Sequence, residues 1–172
     1  MLQIKRKVLW IILVVWVVFS ACGYRFAGSG SFPAGIKTVS ITIFENRTAE
    51  TGLENTVTND LIYEVTRSRG AALVRKDKAE ADLSGVIVST QTGAISRRDV
   101  GASTERRVTV TLNLKLTNTS GKIIWSANGV AQSEAYVVAD DKQATEQNRK
   151  DAISKASKRL AEDIYNRLTE DF

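Results

Sequence analysis

Histidine is absent from this 172-residue chain, and cysteine and proline each occur once. Without histidine, the chain offers neither the Ser-His-Asp and Cys-His arrangements of nucleophilic catalysis nor the usual His/Cys zinc sites. Carboxylate pairs that hydrolyse glycosides remain formally open, but most acidic residues stand in helix-like polar positions beside lysine or arginine. No glycine-rich phosphate loop lies between a strand and a helix. The sequence therefore predicts a protein that is not an enzyme, with no catalytic residues, no metal site and no cofactor.

A long hydrophobic run is missing as well. The basic residues Lys5 to Lys7 precede only twelve consecutive apolar residues, Val8 to Phe19. A membrane-spanning helix needs about 20 apolar residues, and a run of roughly 10–14 is typical of a signal-peptide core. We therefore expect residues 1–21 to be an export signal, with an uncleaved membrane anchor as the alternative. Its removal would lower the net charge from +5 to about +2, so the sequence gives no indication of nucleic-acid binding.

The single cysteine, Cys22, stands where the apolar run ends. The stretch Phe19-Ser20-Ala21-Cys22 resembles a lipobox, in which a small residue precedes a cysteine that receives a covalent lipid before cleavage. A lone cysteine is otherwise often a small buried hydrophobe, but no pattern of a folded segment surrounds this one. We therefore expect lipidation at Cys22, and each buried methylene of the acyl chains contributes about 0.8 kcal/mol to membrane binding. Residues 22–35, with four glycines and the one proline, are expected to form a flexible lipidated tether.

The clearest strand of the predicted domain, residues 36–172, covers 105–117. Its apolar residues are Val108, Val110, Leu112, Leu114 and Leu116, and they alternate with Thr109, Thr111, Asn113, Lys115 and Thr117. Turn residues at 118–122 and a return strand from Ile123 to about Val138 predict an antiparallel hairpin. The polar side of this strand is either solvated or available to a polar partner, since threonine also favours strands by propensity alone.

Weaker patterns predict the remaining elements. Strands are expected over 38–43, possible over 71–74, and expected over about 83–95, the last with Val86, Val88 and Thr90 on one face. Apolar residues at helical spacing predict two helices; they are Leu53, Val57, Leu61 and Val65 in the first and Ile153, Ala156, Leu160, Ile164 and Leu168 in the second. Thr51 with Glu54, and Asp140 with Gln143, match the capping box. The predicted fold is α+β, a two-layer sandwich with two helices packed on one face of a mostly antiparallel sheet of about four strands.

Basic residues flank the turn between the strands at 83–95 and 105–117. A hairpin would bring them together around its tip, and the return strand would end beside them. The candidates for binding phosphate are Arg97, Arg98, Arg106, Arg107 and Lys142. Arginine forks and lysine are the side chains that bind clustered phosphates, although Asp99 and Glu105 partly offset the charge. The alternative is that these residues decorate a solvated hairpin tip.

Three stretches resemble the LptE family of LPS-assembly lipoproteins: "CGYRF" at 22–26, "FPAGIKTVSITIFENRT" at 32–48 and "LENTVTNDLIYEV" at 53–65. The hairpin and the C-terminal helix extend the similarity over the whole chain. The resemblance implies a lipoprotein on the periplasmic side of the outer membrane. Gly23 follows Cys22 where an aspartate would retain a lipoprotein in the inner membrane of enteric bacteria, and this favours the same location. It also implies that the protein plugs the lumen of the LptD β-barrel, supports its assembly and binds lipopolysaccharide (LPS), with a basic site in the hairpin. The alternative is a structural envelope lipoprotein that scaffolds another periplasmic or cell-wall complex.

Overall fold

The computed structural model describes residues 31–68, 70–99 and 102–170, and for residues 96–99, 102–104 and 170 it describes the backbone alone. The predicted signal, Cys22 and most of the tether lie outside these residues. Six strands are present: β1 (Thr38–Ile41), β2 (Glu45–Asn46), β3 (Ala72–Leu73), β4 (Ala81–Asp99), β5 (Ala102–Asn118) and β6 (Ile123–Val137). The α-helices are α1 (Leu53–Ser68) and α2 (Lys142–Glu170). In this part of the chain, no helix combines the length and the apolar character that a membrane span requires.

The strands form one sheet in the order β3-β1-β4-β5-β6, and β2 pairs with β4 beyond the end of β1. The long strands β4, β5 and β6 are antiparallel neighbours, whereas β1 runs parallel to β3 and β4, and β2 runs parallel to β4. The predicted α+β class is confirmed. The sheet has six strands rather than about four: the possible strand at 71–74 is present as β3, and β2 is only two residues long and too short to show a period.

Both helices pack side by side on one face of the sheet, and their predicted apolar faces are buried there. The fully buried side chains of this core include Val57, Leu61, Leu83, Ile87, Leu112, Leu116, Leu160, Ile164 and Leu168. Polar contacts join the helices to each other and to the loop before α1. Ser157 of α2 donates a hydrogen bond of 2.5 Å to Asp60 of α1, and Arg149 binds both carboxylate oxygens of Glu50 at 2.7 and 3.0 Å.

A β-bulge in β4 changes which of its residues face the helices. Ile87 and Ser89 pair with consecutive residues of β5, so Val88 is an extra residue. Ile87 before the bulge and Thr90 after it both face the helices, whereas Val86 faces away. The prediction that Val86, Val88 and Thr90 share one face is therefore wrong, because alternation along a sequence does not reveal an inserted residue.

The helix starts differ slightly from the predicted capping boxes. Asp141, not Asp140, caps α2 by accepting a hydrogen bond of 2.9 Å from the amide of Ala144. At the start of α1, hydrogen bonds from its own amide, from the side chain of Asn46 and from the amide of Gly52 lower the pKa of Glu54, but none of these donors is the Thr51 amide that the predicted capping box uses. The side chain of Thr51 also makes no hydrogen bond within the described residues.

The folded domain begins inside the segment that composition assigned to the tether. Phe32 is fully buried, and its ring meets the ring of Tyr165 edge-on with a centroid separation of 6.3 Å. Pro33 is also buried, in the one-turn 3₁₀ helix Pro33–Gly35. The chain between Cys22 and Ser31 therefore spans at most about 30 Å when fully extended.

Replacing Phe32 tests this boundary. We expect Phe32→Ala to lower the free energy of unfolding by about 3–5 kcal/mol, because it leaves a cavity against Tyr165. The same substitution in the tether, Phe26→Ala, serves as the matched control and is expected to have no effect. Urea denaturation of the full chain in detergent measures both, and equal stability of the two variants would contradict the boundary.

Candidate functional site

The helices cover one face of the sheet and leave the other uncovered. We call the uncovered surface of the three long strands the open face. Its members are Ser84, Val86, Ser89 and Gln91 on β4, Thr109, Thr111, Asn113, Lys115 and Thr117 on β5, and Ser126, Ala131, Ser133 and Ala135 on β6. The polar residues predicted for one side of β5 thus all lie on the open face, away from the helices.

Hydroxyl and amide groups dominate the chemistry of the open face. The hydroxyl oxygens of Thr109 and Ser133 lie 2.8 Å apart across the strands, and the amide of Gly129 donates a hydrogen bond of 2.8 Å to the side-chain oxygen of Asn113. The side chain of Thr111 makes no hydrogen bond within the described residues. The open face therefore keeps hydroxyl groups that can bind a polar partner.

Asp82 borders the open face where β4 meets β1. Its carboxylate accepts hydrogen bonds from Ser40 at 2.6 Å, from Thr42 at 2.9 Å and from the ammonium group of Lys76 at 3.0 Å. Burial raises the pKa of Asp82, but the hydrogen bonds from Ser40, Lys76 and Thr42 together outweigh it and lower that pKa below its usual value. All the partners belong to β1 or the adjoining segments, so this cluster fastens β1 to β4. Among the described side chains, no acidic group of three or more is placed to hold a metal ion.

A hairpin of β4 and β5 extends beyond the rest of the sheet. β6 ends at Val137, which pairs with Glu105 of β5. The pairing of β4 with β5 continues past this point to Asp99 and Ala102. The extension is a two-stranded ribbon, and we call it the hairpin tip.

The hairpin tip and its base carry the four predicted arginines. Arg97 and Arg98 belong to the part of β4 in the tip, where the backbone alone is described. Arg106 and Arg107 lie at the base, and both are exposed and form no ion pair within the described residues. The predicted clustering of these residues at one end of the molecule agrees with the strand register.

The arginines at the base do not form one patch, because consecutive residues of a strand point to opposite faces. Arg106 pairs with Tyr136 and faces the helix side, whereas Arg107 pairs with Ala135 and continues the open face. Lys142 is exposed at the start of α2, and the residues between β6 and α2 span at most about 17 Å. Lys142 therefore lies near the base of the hairpin on the same side as Arg106.

A groove that the sequence does not predict lies at the same end. This open groove of about 230 Å³ lies between β6 and α2 and is lined by Tyr136, Asn148, Asp151 and Lys155, among others. Asn148 donates a hydrogen bond of 3.0 Å to the carbonyl of Val137 and so joins α2 to the end of β6. Lys155 stands thirteen residues after Lys142 in the sequence, and helical periodicity alone does not bring it to this strand. The groove adds a further basic residue to this end of the molecule.

The family of the chain follows from comparison with known sequences. Residues 36–168 match the family model of LptE, described as lipopolysaccharide-assembly. The chain belongs to the LptE family. The resemblance found in the sequence is confirmed, and the protein is accordingly an LPS-assembly lipoprotein of a non-catalytic family. No curated protein sequence matches it.

Several solved structures share this fold. An uncharacterized lipoprotein B from Nitrosomonas europaea has a TM-score of 0.61 at 17% identity, covering 86% of this LptE-family chain and 90% of its own. The rare lipoprotein B from Shewanella oneidensis has a TM-score of 0.56 at 11% identity, with coverages of 77% and 93%. A minor lipoprotein from Acinetobacter baumannii has a TM-score of 0.55 at 14% identity, with coverages of 78% and 92%. At these identities the likeness shows the fold alone.

The lowered pKa of Asp82 predicts how the stability of this LptE-family domain depends on pH. The carboxylate stabilises the fold above its unfolded-state pKa of about 4, and this contribution disappears as the pH falls through the lower folded-state pKa. Asp82→Asn should therefore lower the free energy of unfolding at pH 7 by about 1–2 kcal/mol and flatten its decline in acid.

Urea denaturation between pH 2 and pH 7 measures both effects. Asp77→Asn is the control, because the Asp77 carboxylate is exposed and, among the described residues, pairs only with Arg75 across 3.2 Å. If the free energy of unfolding of Asp82→Asn declined in acid as steeply as that of the unchanged protein, the proposed stabilising role of the Asp82 carboxylate would be contradicted.

Proposed function

We propose that this protein is an outer-membrane lipoprotein that plugs the lumen of an LptD-type β-barrel, supports assembly of that barrel and binds LPS during its insertion at the cell surface. The match of residues 36–168 to the LptE family is the observation that carries the proposal. Covalent lipid on Cys22 anchors it to the periplasmic side of the outer membrane. The remaining tether is short, so the domain stays within about 30 Å of the anchored residue.

The architecture suits a plug. The interior of a wide outer-membrane barrel is polar, and a domain that fills it must be polar outside and firmly folded. The core between the helices and the sheet is closed by fully buried side chains such as Leu112 and Leu160. The open face supplies hydroxyl and amide groups on rigid strands, and these groups can bind polar side chains of a lumen.

The hairpin tip suits the phosphates of LPS. The lipid A and inner-core region carries clustered phosphates, and the planar guanidinium group of arginine binds phosphate oxygens in pairs. Arg97 and Arg98 are the principal candidates, with Arg106, Arg107 and Lys142 at the base of the hairpin as secondary ones. When the arginines bind these phosphates, they compete with the divalent cations that bridge neighbouring LPS molecules. No bond is made or broken, so the mechanism is binding without chemistry.

Reversing the charge of the principal candidates tests LPS binding. Arg97→Asp combined with Arg98→Asp should weaken LPS binding by about tenfold or more, because each lost contact to a charged group costs about 1.5–3 kcal/mol. The thermal midpoint should stay nearly unchanged, since the hairpin tip extends beyond the helices and the core. Binding of the full chain to LPS micelles, measured by fluorescence or calorimetry, gives the affinity.

The matched control makes the same charge change at the opposite end of the sheet. Arg75→Asp combined with Lys78→Asp alters two exposed residues before the start of β4. If both double variants lose the same affinity, net charge explains the binding. Unchanged affinity of the Arg97 and Arg98 variant would remove the proposed site.

Affinity purification tests the proposed partner. The full chain, extracted from outer membranes in mild detergent, is expected to bring down one large β-barrel in equal molar amount. Mass spectrometry identifies the recovered protein. Recovery of peptidoglycan fragments or of another periplasmic complex without the barrel would contradict the proposed function and favour the structural scaffold.

A further inference from the structure

We propose that the open face is the surface through which this domain contacts the inner wall of the barrel, while the outer side of α1 and α2 faces water. This inference rests on the proposed function, because it assigns the contact surface of the same complex. It commits the open face to one occupant, a barrel wall lined with polar, mostly uncharged side chains.

The distribution of charge separates the two sides of the molecule. Four described charged residues lie on this side of the sheet: Lys115 is within the open face, and Asp82 beside β1 and Glu105 and Arg107 beside the tip stand at its borders. The exposed side of α2 is densely charged, with Glu146, Lys150, Asp151, Lys155, Lys158, Arg159, Glu162 and Arg167. Surfaces that face water usually contain about 25–35% charged residues, and depletion of charge marks the centre of an interface. The open face is the depleted side.

The side chains of the open face are also suited to close contact. On β6 they are small, with Ala131, Ser133 and Ala135 in succession. Serine, threonine and alanine lose little rotamer freedom when they are buried, whereas lysine and glutamate lose up to about 2 kcal/mol each. Thr111, in the middle of the face, has a hydroxyl group with no partner in the described residues. Such a surface binds a wall at low entropic cost.

Apolar side chains stand at both ends of β6 on the same side of the sheet. Ile123 pairs with Thr117 of the open face and is 54% exposed, and Val137 pairs with Glu105 and is 55% exposed. These two aliphatic side chains flank the open face and add apolar area to a contact made there.

The size of the open face agrees with a contact of this kind. Neighbouring strands are about 4.8 Å apart and residues on one face repeat about every 6.7 Å, so each residue covers roughly 32 Å². The face as a whole then covers roughly 400–500 Å², about half of one side of a standard protein interface of roughly 800 Å². The open face is therefore large enough to be one wall contact of a plug and too small to be its whole interface.

Photocrosslinking in cells tests the assignment with the full chain. A benzoyl-phenylalanine residue is placed at Thr111 or Ser133 on the open face, and at Lys158 on the exposed side of α2 as the control. Irradiation should join the barrel to the chain from Thr111 and Ser133, with at least tenfold less product from Lys158. Two open-face positions are used so that a folding defect at one of them leaves the other informative.

The outcomes separate this inference from the proposed function. If the unchanged protein brings down the barrel but the adducts form from Lys158 and not from Thr111 or Ser133, the inference fails and the proposed function stands. An open-face adduct with a second copy of this chain, or with LPS, would also overturn the inference. If the barrel is absent from the unchanged protein's complex, both are wrong.

Discussion

The fold depends on one apolar layer between the sheet and the two helices, which cover only one face of the sheet. Side chains of β4 and β5, such as Leu83 and Leu112, meet Leu160 and Ile164 of α2 in a layer without solvent access, and burial of each contributes about 1.5–3 kcal/mol. With one cysteine in the sequence, no disulfide within the chain supports this layer. Because two helices suffice to cover the apolar face, the opposite face of the sheet is left to polar residues and to a partner.

Polar contacts hold the two layers in a fixed relation at their edges. Hydrogen bonds to Glu146 and Glu50 raise the pKa of Arg149, and this side chain joins α2 to the loop before α1. Glu134 of β6 forms an ion pair of 2.6 Å with Arg159 of α2. These contacts lie on the helix side of the sheet, so they stabilise the sandwich without occupying the open face or the hairpin tip.

Elements whose hydrophobic pattern repeats over many residues could be predicted from the sequence, and short or irregular elements could not. Alternation over β5 and helical spacing over α2 correctly assigned their buried faces. The two residues of β2 carry no period, and the extra residue Val88 reverses the faces of β4 without any sign in the pattern. The glycines and the proline around Phe32 predict a tether there, yet tertiary packing against Tyr165 outweighs that local composition. The clustering of the arginines could be predicted from hairpin geometry, but their division between the two faces of the sheet could be seen only from the strand register.

Hydroxyl-radical footprinting of the full chain in outer membranes, compared with the purified chain in detergent, tests most directly whether the uncovered side of the sheet is the side that a partner occupies. Ile123 and Val137 report on that side, and Tyr63, which is 67% exposed on α1, reports on the helix side. We expect Ile123 and Val137 to lose reactivity in the membrane while Tyr63 keeps it. Protection of Tyr63 with unchanged reactivity of Ile123 and Val137 would contradict it.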